Sequence, residues 1–382
     1  MAVRKIKLSD GSVRYEATYR DPRARERSKR FATKRDAERF LARQSADMQR
    51  GDYSDPQLGR ISLEQWAEEW IATTVHLKPK TRVGYRSILD THVLPAFGDL
   101  RVASIEQVDV RRFLAALAAS GAAPGTVRNV YRVLSQVLGA AVGSGALKAN
   151  PAAGIRLPRS PHAEMLFLSA EQVLRLADAI GGRYGTLITF AAYTGLRAGE
   201  IGALRCGRVD LVDGAVDVVE SLSEVNGKLA FGPTKTYARR TVRLPRFLVE
   251  ELTVYLGHAA NDADAFVFTA PAGGPLRHNL FYQRAFRPAV RRAGLADGLR
   301  FHDLRHTCAA LLIAQGAHPK AMQERLGHSS ITVTLDRYGH LFPSLDEALT
   351  EGLDGTYRAA LAEFSRSSAK STISDLLQPA GA

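Results

Sequence analysis

Residues 301–340 read FHDLRHTCAALLIAQGAHPKAMQERLGHSSITVTLDRYGH, and three short patterns inside that stretch decide the fold. The first, His302-Asp303-Leu304-Arg305-His306-Thr307, has helical spacing. At about 100° per residue, His302, Arg305 and His306 share one arc while Leu304, Cys308 and Leu311 occupy the other, so an apolar stripe is buried and His and Arg are presented together. In Leu326-Gly327-His328-Ser329-Ser330, Gly327 reads as a helix stop and the serine pair as a helix start, which leaves His328 beside a positive helix end. Tyr338, inside Thr334-Leu335-Asp336-Arg337-Tyr338-Gly339-His340, lies on the short helix that follows. Taken singly, each residue also has a structural reading: a lone histidine at a helix junction is usually structural, and a lone tyrosine near a C-terminal helix is usually core. Histidines four apart also fit a zinc site, but no Glu follows His302 and Arg305 would repel a divalent cation.

Upstream, Thr194-Gly195-Leu196-Arg197-Ala198-Gly199-Glu200 follows an apolar helix ending near Tyr193. A guanidinium fork there can grip two oxygens of one phosphate, with Glu200 close enough to fix its rotamer, although a capped helix end with a solvated arginine is equally consistent. Ser169 with Gln172 reads as a capping box opening this third region. Val216, Val218 and Val219 suggest a strand, Asn226-Gly227 is a favoured hairpin dipeptide, and Thr234 to Leu244 reads as extended with a turn near Ala238.

Two further regions precede it. Val13, Tyr15, Ala17 and Tyr19 alternate with polar residues, the period of a half-buried strand, and Thr33 with Asp36 opens a helix running to about Met48. Residues 50–56, rich in breakers, read as a linker. Ser62 with Gln65 and Ser104 with Gln107 look like capping boxes, the first ahead of Trp66 and Trp70, the second ahead of Val108, Phe113, Leu114 and Leu117. Between Thr126 and Val142, Val127, Val130, Leu134, Val137 and Leu138 fall on one helical face.

Among the 382 residues the formal charge is +13, and residues 1–60 hold 16 Lys or Arg against 9 Asp or Glu, a balance of +7. Clustered cations gain free energy by displacing counterions from phosphates, so nucleic acid is the leading partner. Two cysteines, Cys206 and Cys308, make a disulfide scaffold improbable. No run of about 18 apolar residues and no signal-like N-terminus is visible, so no membrane partner and a cytoplasmic location are expected.

In order, Arg197 in TGLRAGE, Lys235 in PTKTYARRTV, His302 and Arg305 in HDLRHT, His328 in LGHSS and Tyr338 in DRYGH resemble the tyrosine recombinase or phage integrase family. The resemblance covers most of residues 165–345. It implies an α+β multidomain chain: an N-terminal sheet-plus-helix arm-site-binding domain at 1–55, an all-helical core-binding domain at 61–155, a mainly helical catalytic domain with a small antiparallel sheet at 164–360, and a tail at 361–382. It implies a site-specific recombinase that cuts and rejoins double-stranded DNA through a 3′-phosphotyrosine, integrating or excising a mobile element. Arg197 and Arg305 would clamp the scissile phosphate, and His302 and His328 would hydrogen-bond its oxygens. His302 would also accept the proton of Tyr338, the nucleophile, while Lys235 would protonate the leaving oxygen. Glu200 would orient Arg197 or neighbouring histidines rather than touch DNA. The resemblance further implies no cofactor, a homotetramer on core-type and arm-type sites, DNA-bending and directionality factors as helpers, and a C-terminal contact between protomers, placed at Ile373, Leu376 and Leu377. The competing functions are a non-cleaving DNA-binding regulator and a metallohydrolase built on His302, His306 and His328.

Overall fold

The structure, a computed structural model, describes the chain except residues 23, 52, 54, 56–57, 159–164, 235–238, 343–344 and 377–382, with the backbone alone for 345–349, 365 and 367–376. Lys235, the turn near Ala238 and Leu377 thus lie outside the described residues. The chain forms two compact units, 1–163 and 164–382.

The first unit opens with strands β1 (Ala2–Lys7), β2 (Val13–Arg20) and β3 (Glu26–Phe31), antiparallel in the order β1-β2-β3. Alternation along β2 turns Ala17 and Tyr19 inward, where they pack with Ala37 and Leu41 of helix α1 (Lys34–Gln49). Thr33 caps α1, its Oγ1 accepting from the Asp36 amide at 3.2 Å. Helices α2 (Leu63–Thr73), α3 (Pro79–Ile88), α4 (Leu94–Phe97), α5 (Gln107–Ala119) and α6 (Pro124–Gly143) then enclose a second core around Leu63, Leu89, Leu134 and Leu138. Trp66 completes it, burying its ring while the indole N–H donates to the Val137 carbonyl at 2.9 Å.

Two expectations fail here. Helix α5 is not capped by Ser104, whose hydroxyl donates instead to the Arg101 carbonyl at 2.8 Å; Glu106 is the cap, with its amide donating to Asp109 at 3.0 Å, and Val108 faces solvent. The second departure is at Asp55, inside the expected linker. Asp55 is buried, accepts from Arg25 at 2.7 Å and Arg27 at 2.5 Å, and donates its amide to the Gly145 carbonyl at 2.7 Å. Lys148 adds a 2.6 Å bond to Asp47 of α1. Charge pairing across about thirty positions outweighs the local breaker signal and ties the sheet module to the helices.

The second unit runs through α7 (Ala170–Ile180), α8 (Gly182–Thr194), α9 (Ala198–Ala203), β4 (Val209–Asp210), β5 (Ala215–Val218), β6 (Glu220–Val225), β7 (Lys228–Pro233), β8 (Arg240–Arg243), α10 (Arg246–Leu256), α11 (His278–Phe281), α12 (Arg287–Arg292), α13 (Asp303–Ala314), α14 (Pro319–Leu326), α15 (Ile331–Tyr338) and α16 (Leu345–Leu376). Its sheets are β4-β5-β8 and the hairpin β6-β7, which turns at Asn226 and Gly227 with φ of 49° and 74°. Ser169 and Gln172 form the expected capping box on α7.

Helix α13 departs from the two-faced reading. Every residue from Asp303 to Ala309 is buried, because the helix is enclosed among its neighbours, so Arg305 and His306 face protein rather than water. The C-terminal segment also differs: α16 continues as one helix across position 361 to Leu376. Ile373 and Leu376 are described by backbone only. The visible apolar stripe lies earlier, at Leu353, Tyr357, Leu361 and Phe364, exposed by 71%, 66%, 50% and 70%. Among the described residues no helix is long and apolar enough to cross a membrane.

Candidate active site

The site is assembled around the C-terminal end of α14. The chain leaves that helix through Gly327 at φ +67°, a left-handed conformation that only glycine adopts without strain, and a Cβ there would meet the Arg240 guanidinium at about 3 Å. The last carbonyls of the helix are thereby free to hold cations. Arg305 donates to the Leu326 carbonyl at 2.6 Å and to the Gly195 carbonyl at 2.7 Å. Arg197 donates to the Gly327 carbonyl at 2.8 Å. Two guanidinium groups from α13 and from the start of α9 thus hang on consecutive carbonyls of one helix end, whose dipole favours positive charge.

Gly195 sets the other side of the cluster. It ends α8 with φ +67°, and a Cβ would press within 2.6 Å of Leu326 and 3.1 Å of the Cys308 sulfur, so only glycine lets α8, α13 and α14 approach this closely. Arg197 follows two residues later. Glu200, 2% exposed, accepts from the Arg197 amide at 2.9 Å and from its guanidinium at 2.8 Å. Arg240 of β8 takes the same carboxylate in two bonds of 2.7 and 3.1 Å and donates to the Arg325 carbonyl at 2.9 Å. Burial alone would raise the Glu200 carboxyl, but Arg240 and then Arg197 outweigh it and hold it below the usual range. Three guanidiniums around one carboxylate leave a positive surplus. Burial pulls Arg305 below its ordinary range, and Arg197 pushes the same way, so an anion placed here would relieve both.

His328 follows Gly327 directly. Its Nδ1 pairs with the Thr334 hydroxyl of α15 at 2.8 Å, while its Nε2 is buried with no hydrogen-bond partner among the described residues. Burial, then the field of Arg305 and Arg197, pushes the imidazole down to about 3, so the ring is neutral near pH 7. Ser330 caps α15, which carries Tyr338 at its end. The Tyr338 ring is 0% exposed, nearly parallel to His328 at 6.3 Å between centroids, and packed with Cys308, Met322 and Leu326. Its hydroxyl pairs with His306 Nδ1 at 2.8 Å.

His302 stands at the exposed rim just before α13, and its ring meets that of His306 edge to face at 5.1 Å. Although part of the ring meets solvent, its protein-facing side is desolvated and His306 and Arg305 lie beside it; both effects lower its pKa, so it too is neutral near pH 7. Arg197, Arg305, His328 and Tyr338 therefore converge directly, with His302 joined to Tyr338 through His306. Two residues of the site have no local sequence signal for their place in it: Arg240, five positions after Lys235, and His306, which sits beside the nucleophile. Among the described residues no group of three His, Cys, Asp or Glu side chains is placed to hold a metal.

Residues 166–344 match the phage integrase family, and residues 63–157 match the phage integrase central domain. The putative prophage phiRv2 integrase of Mycobacterium tuberculosis is 28% identical over 351 residues, covering 88% of this chain and 92% of its own. Among solved structures, the Tn1549 transposon integrase in complex with transposon right end DNA shares the fold at a TM-score of 0.67 with 21% identity, over 76% of this chain and 98% of that one. A lambda integrase tetramer bound to a Holliday junction shares it at 0.53 with 20% identity, over 86% and 96%. Matched along both its helical module and the unit that gathers these arginines and the tyrosine, the chain belongs to the phage integrase family of tyrosine recombinases.

Proposed function

We propose that this recombinase cuts and rejoins duplex DNA by transesterification at Tyr338, integrating or excising a mobile element. The observation that carries this reading is the anchoring of Arg305 and Arg197 on the adjacent carbonyls of Leu326 and Gly327, beside the Tyr338 hydroxyl and a buried His328 Nε2 that has no hydrogen-bond partner among the described residues. A phosphodiester supplies the acceptor oxygens for which those donors are arranged. As the Tyr338 oxygen bonds to phosphorus the P–O5′ bond breaks, and the two guanidiniums stabilise the extra charge of the pentacoordinate transition state. His302 and His328 contribute N–H donors to the same oxygens. Lys235 delivers a proton to the departing 5′-oxygen. One phosphate ester replaces another, so the step is near energetic balance and reverses when a 5′-hydroxyl attacks the phosphotyrosine.

Because Tyr338 is fully enclosed, DNA reaches it only after its surroundings shift. The basic module at 1–55, with its excess of Lys and Arg, and the helical module at 61–155 are assigned to arm-type and core-type sites. A homotetramer, as in the lambda assembly on a Holliday junction, is the proposed working form, with DNA-bending and directionality factors as helpers. The test is a nicked duplex from the DNA flanking the gene, incubated in EDTA. Wild-type protein forms a denaturation-resistant adduct and Tyr338→Phe binds without forming one. An adduct formed by the Tyr338→Phe variant would refute the nucleophile; wild-type binding with no adduct would establish a non-cleaving regulator instead.

A further inference from the structure

We propose that His306 is the residue that takes the proton from Tyr338 during cleavage and returns it during rejoining, an assignment resting on the transesterification reading above. Nδ1 of His306 lies 2.8 Å from the Tyr338 oxygen, within the range a general base needs. The two rings meet at 62° with centroids 5.7 Å apart, so the imidazole lone pair is directed at the hydroxyl rather than stacked over it. His306 is 5% exposed and Tyr338 0%, so water does not compete for the proton.

The direction of the hydrogen bond follows from what surrounds it. Burial raises the phenol, so it keeps its proton at neutral pH. Among the described residues His306 is the hydrogen-bond partner of that hydroxyl, so the direction that leaves no buried phenolic O–H unpaired is donation to Nδ1, with the imidazole's own hydrogen on Nε2. Burial, with Arg337 and Arg300 pushing the same way against Asp303, keeps the ring neutral and its lone pair available. His328 cannot take this part through Nδ1, which is committed to Thr334. His302 reaches the tyrosine only across the ring of His306.

The backbone that carries His306 is pinned on both sides. His306 follows Arg305, which is fixed on two carbonyls, and precedes Thr307, whose hydroxyl donates to the Asp303 carbonyl at 3.0 Å and accepts from the Leu168 amide at 3.1 Å. Arg305 and His306 are adjacent on one helix, so the phosphate anchor and the proton acceptor stay together when the surroundings of Tyr338 shift to admit DNA. In the forward step the O–H bond of Tyr338 breaks as its oxygen bonds to phosphorus, and the proton resides on Nδ1 as an imidazolium. Arg305 and Arg337 disfavour that cation, which keeps the proton ready to return when the phosphotyrosine is attacked.

Two nicked duplexes from the flanking DNA test this, one with a normal scissile phosphate and one with sulfur bridging to the 5′ carbon, and rates are taken per DNA-bound protein. His306→Asn offers Oδ1 to orient the hydroxyl but cannot hold its proton. Its adduct formation is expected to slow about 100- to 10,000-fold on both substrates, the range for a lost general base. His306→Gln should do the same. Lys235→Ala should regain its rate on the sulfur duplex, because a thiolate leaves without a proton. His306→Asn forming adduct within about threefold of wild type, or recovering on sulfur, overturns the assignment while leaving transesterification standing. Failure of the wild type to form adduct at all would instead remove the reading on which it rests.

Discussion

Glu200 and Arg240 are joined by two hydrogen bonds, 2.7 and 3.1 Å, on a carboxylate that is almost wholly buried. The same carboxylate holds Arg197, and the same guanidinium reaches the Arg325 carbonyl at the end of α14, so one pair fixes both an arginine of the site and the helix end that delivers His328. Arg240→Ala would leave Glu200 with a single partner in a dry place, and unfolding free energy should fall by about 3 kcal/mol, as for breaking a buried ion pair. Arg240→Lys should recover part of that, since one ammonium cannot serve two carboxylate oxygens and a carbonyl together. Because the carboxylate that braces Arg197 loses its second anchor, adduct formation should drop roughly 10- to 100-fold with little change in DNA affinity, the signature of misplacement rather than lost binding. Thermal unfolding and a single-turnover assay on one preparation read both numbers.

The buried imidazoles set a pH dependence. His328 titrates at about 3 in the folded chain and near 6.5 when unfolded, so below pH 6.5 the unfolded chain binds a proton that the folded chain refuses. Stability is full above 6.5 and is lost as pH falls toward 3, by up to about 1.4 kcal/mol per unit for this one residue. His306, also buried and lowered, adds to the same slope, whereas the exposed His302 contributes little. Denaturant unfolding of the DNA-free protein should lose roughly 2 kcal/mol or more between pH 6.5 and 5, and His328→Asn should flatten that loss. An unfolding free energy independent of pH over this interval would show that these rings are solvated.

What could be read along the chain was what adjacent residues encode. The caps at Thr33, Ser62 and Ser169 and the turn at Asn226-Gly227 depend on partners within a few positions, and each appears where its pattern placed it. Arg240 could not be read this way, because its partners Glu200 and Arg325 lie 40 and 85 positions off. Asp55 escaped for the same reason, looking like part of a loop until Arg25 and Arg27 are brought beside it. The helical wheel for α13 grouped His302, Arg305 and His306 correctly on angle alone but assumed that one face met water. Burial on all sides is a property of the surrounding helices, and it changes His306 from a rim residue into the partner of Tyr338.

The stripe on α16 calls for a separate test. Leu353, Tyr357, Leu361 and Phe364 follow one another by four, four and three residues, so they share one side of the helix, and all are at least half exposed. Covering such a stripe contributes about 25 cal/mol per Å2 of apolar area, enough for several kcal/mol across four large side chains. In the proposed tetramer a neighbouring protomer is the occupant. None of the four belongs to the cluster around Tyr338, so Leu361→Asp combined with Phe364→Asp should leave the single-protomer adduct rate on a half-site within about threefold of wild type. The same double variant should lose the slow-migrating complexes of two and four protomers on a full site, and recombination with them. Normal assembly by the double variant in native gels and light scattering would assign the protomer contact to another surface, whereas loss of the half-site adduct as well would mean that this helix supports the active site within its own chain.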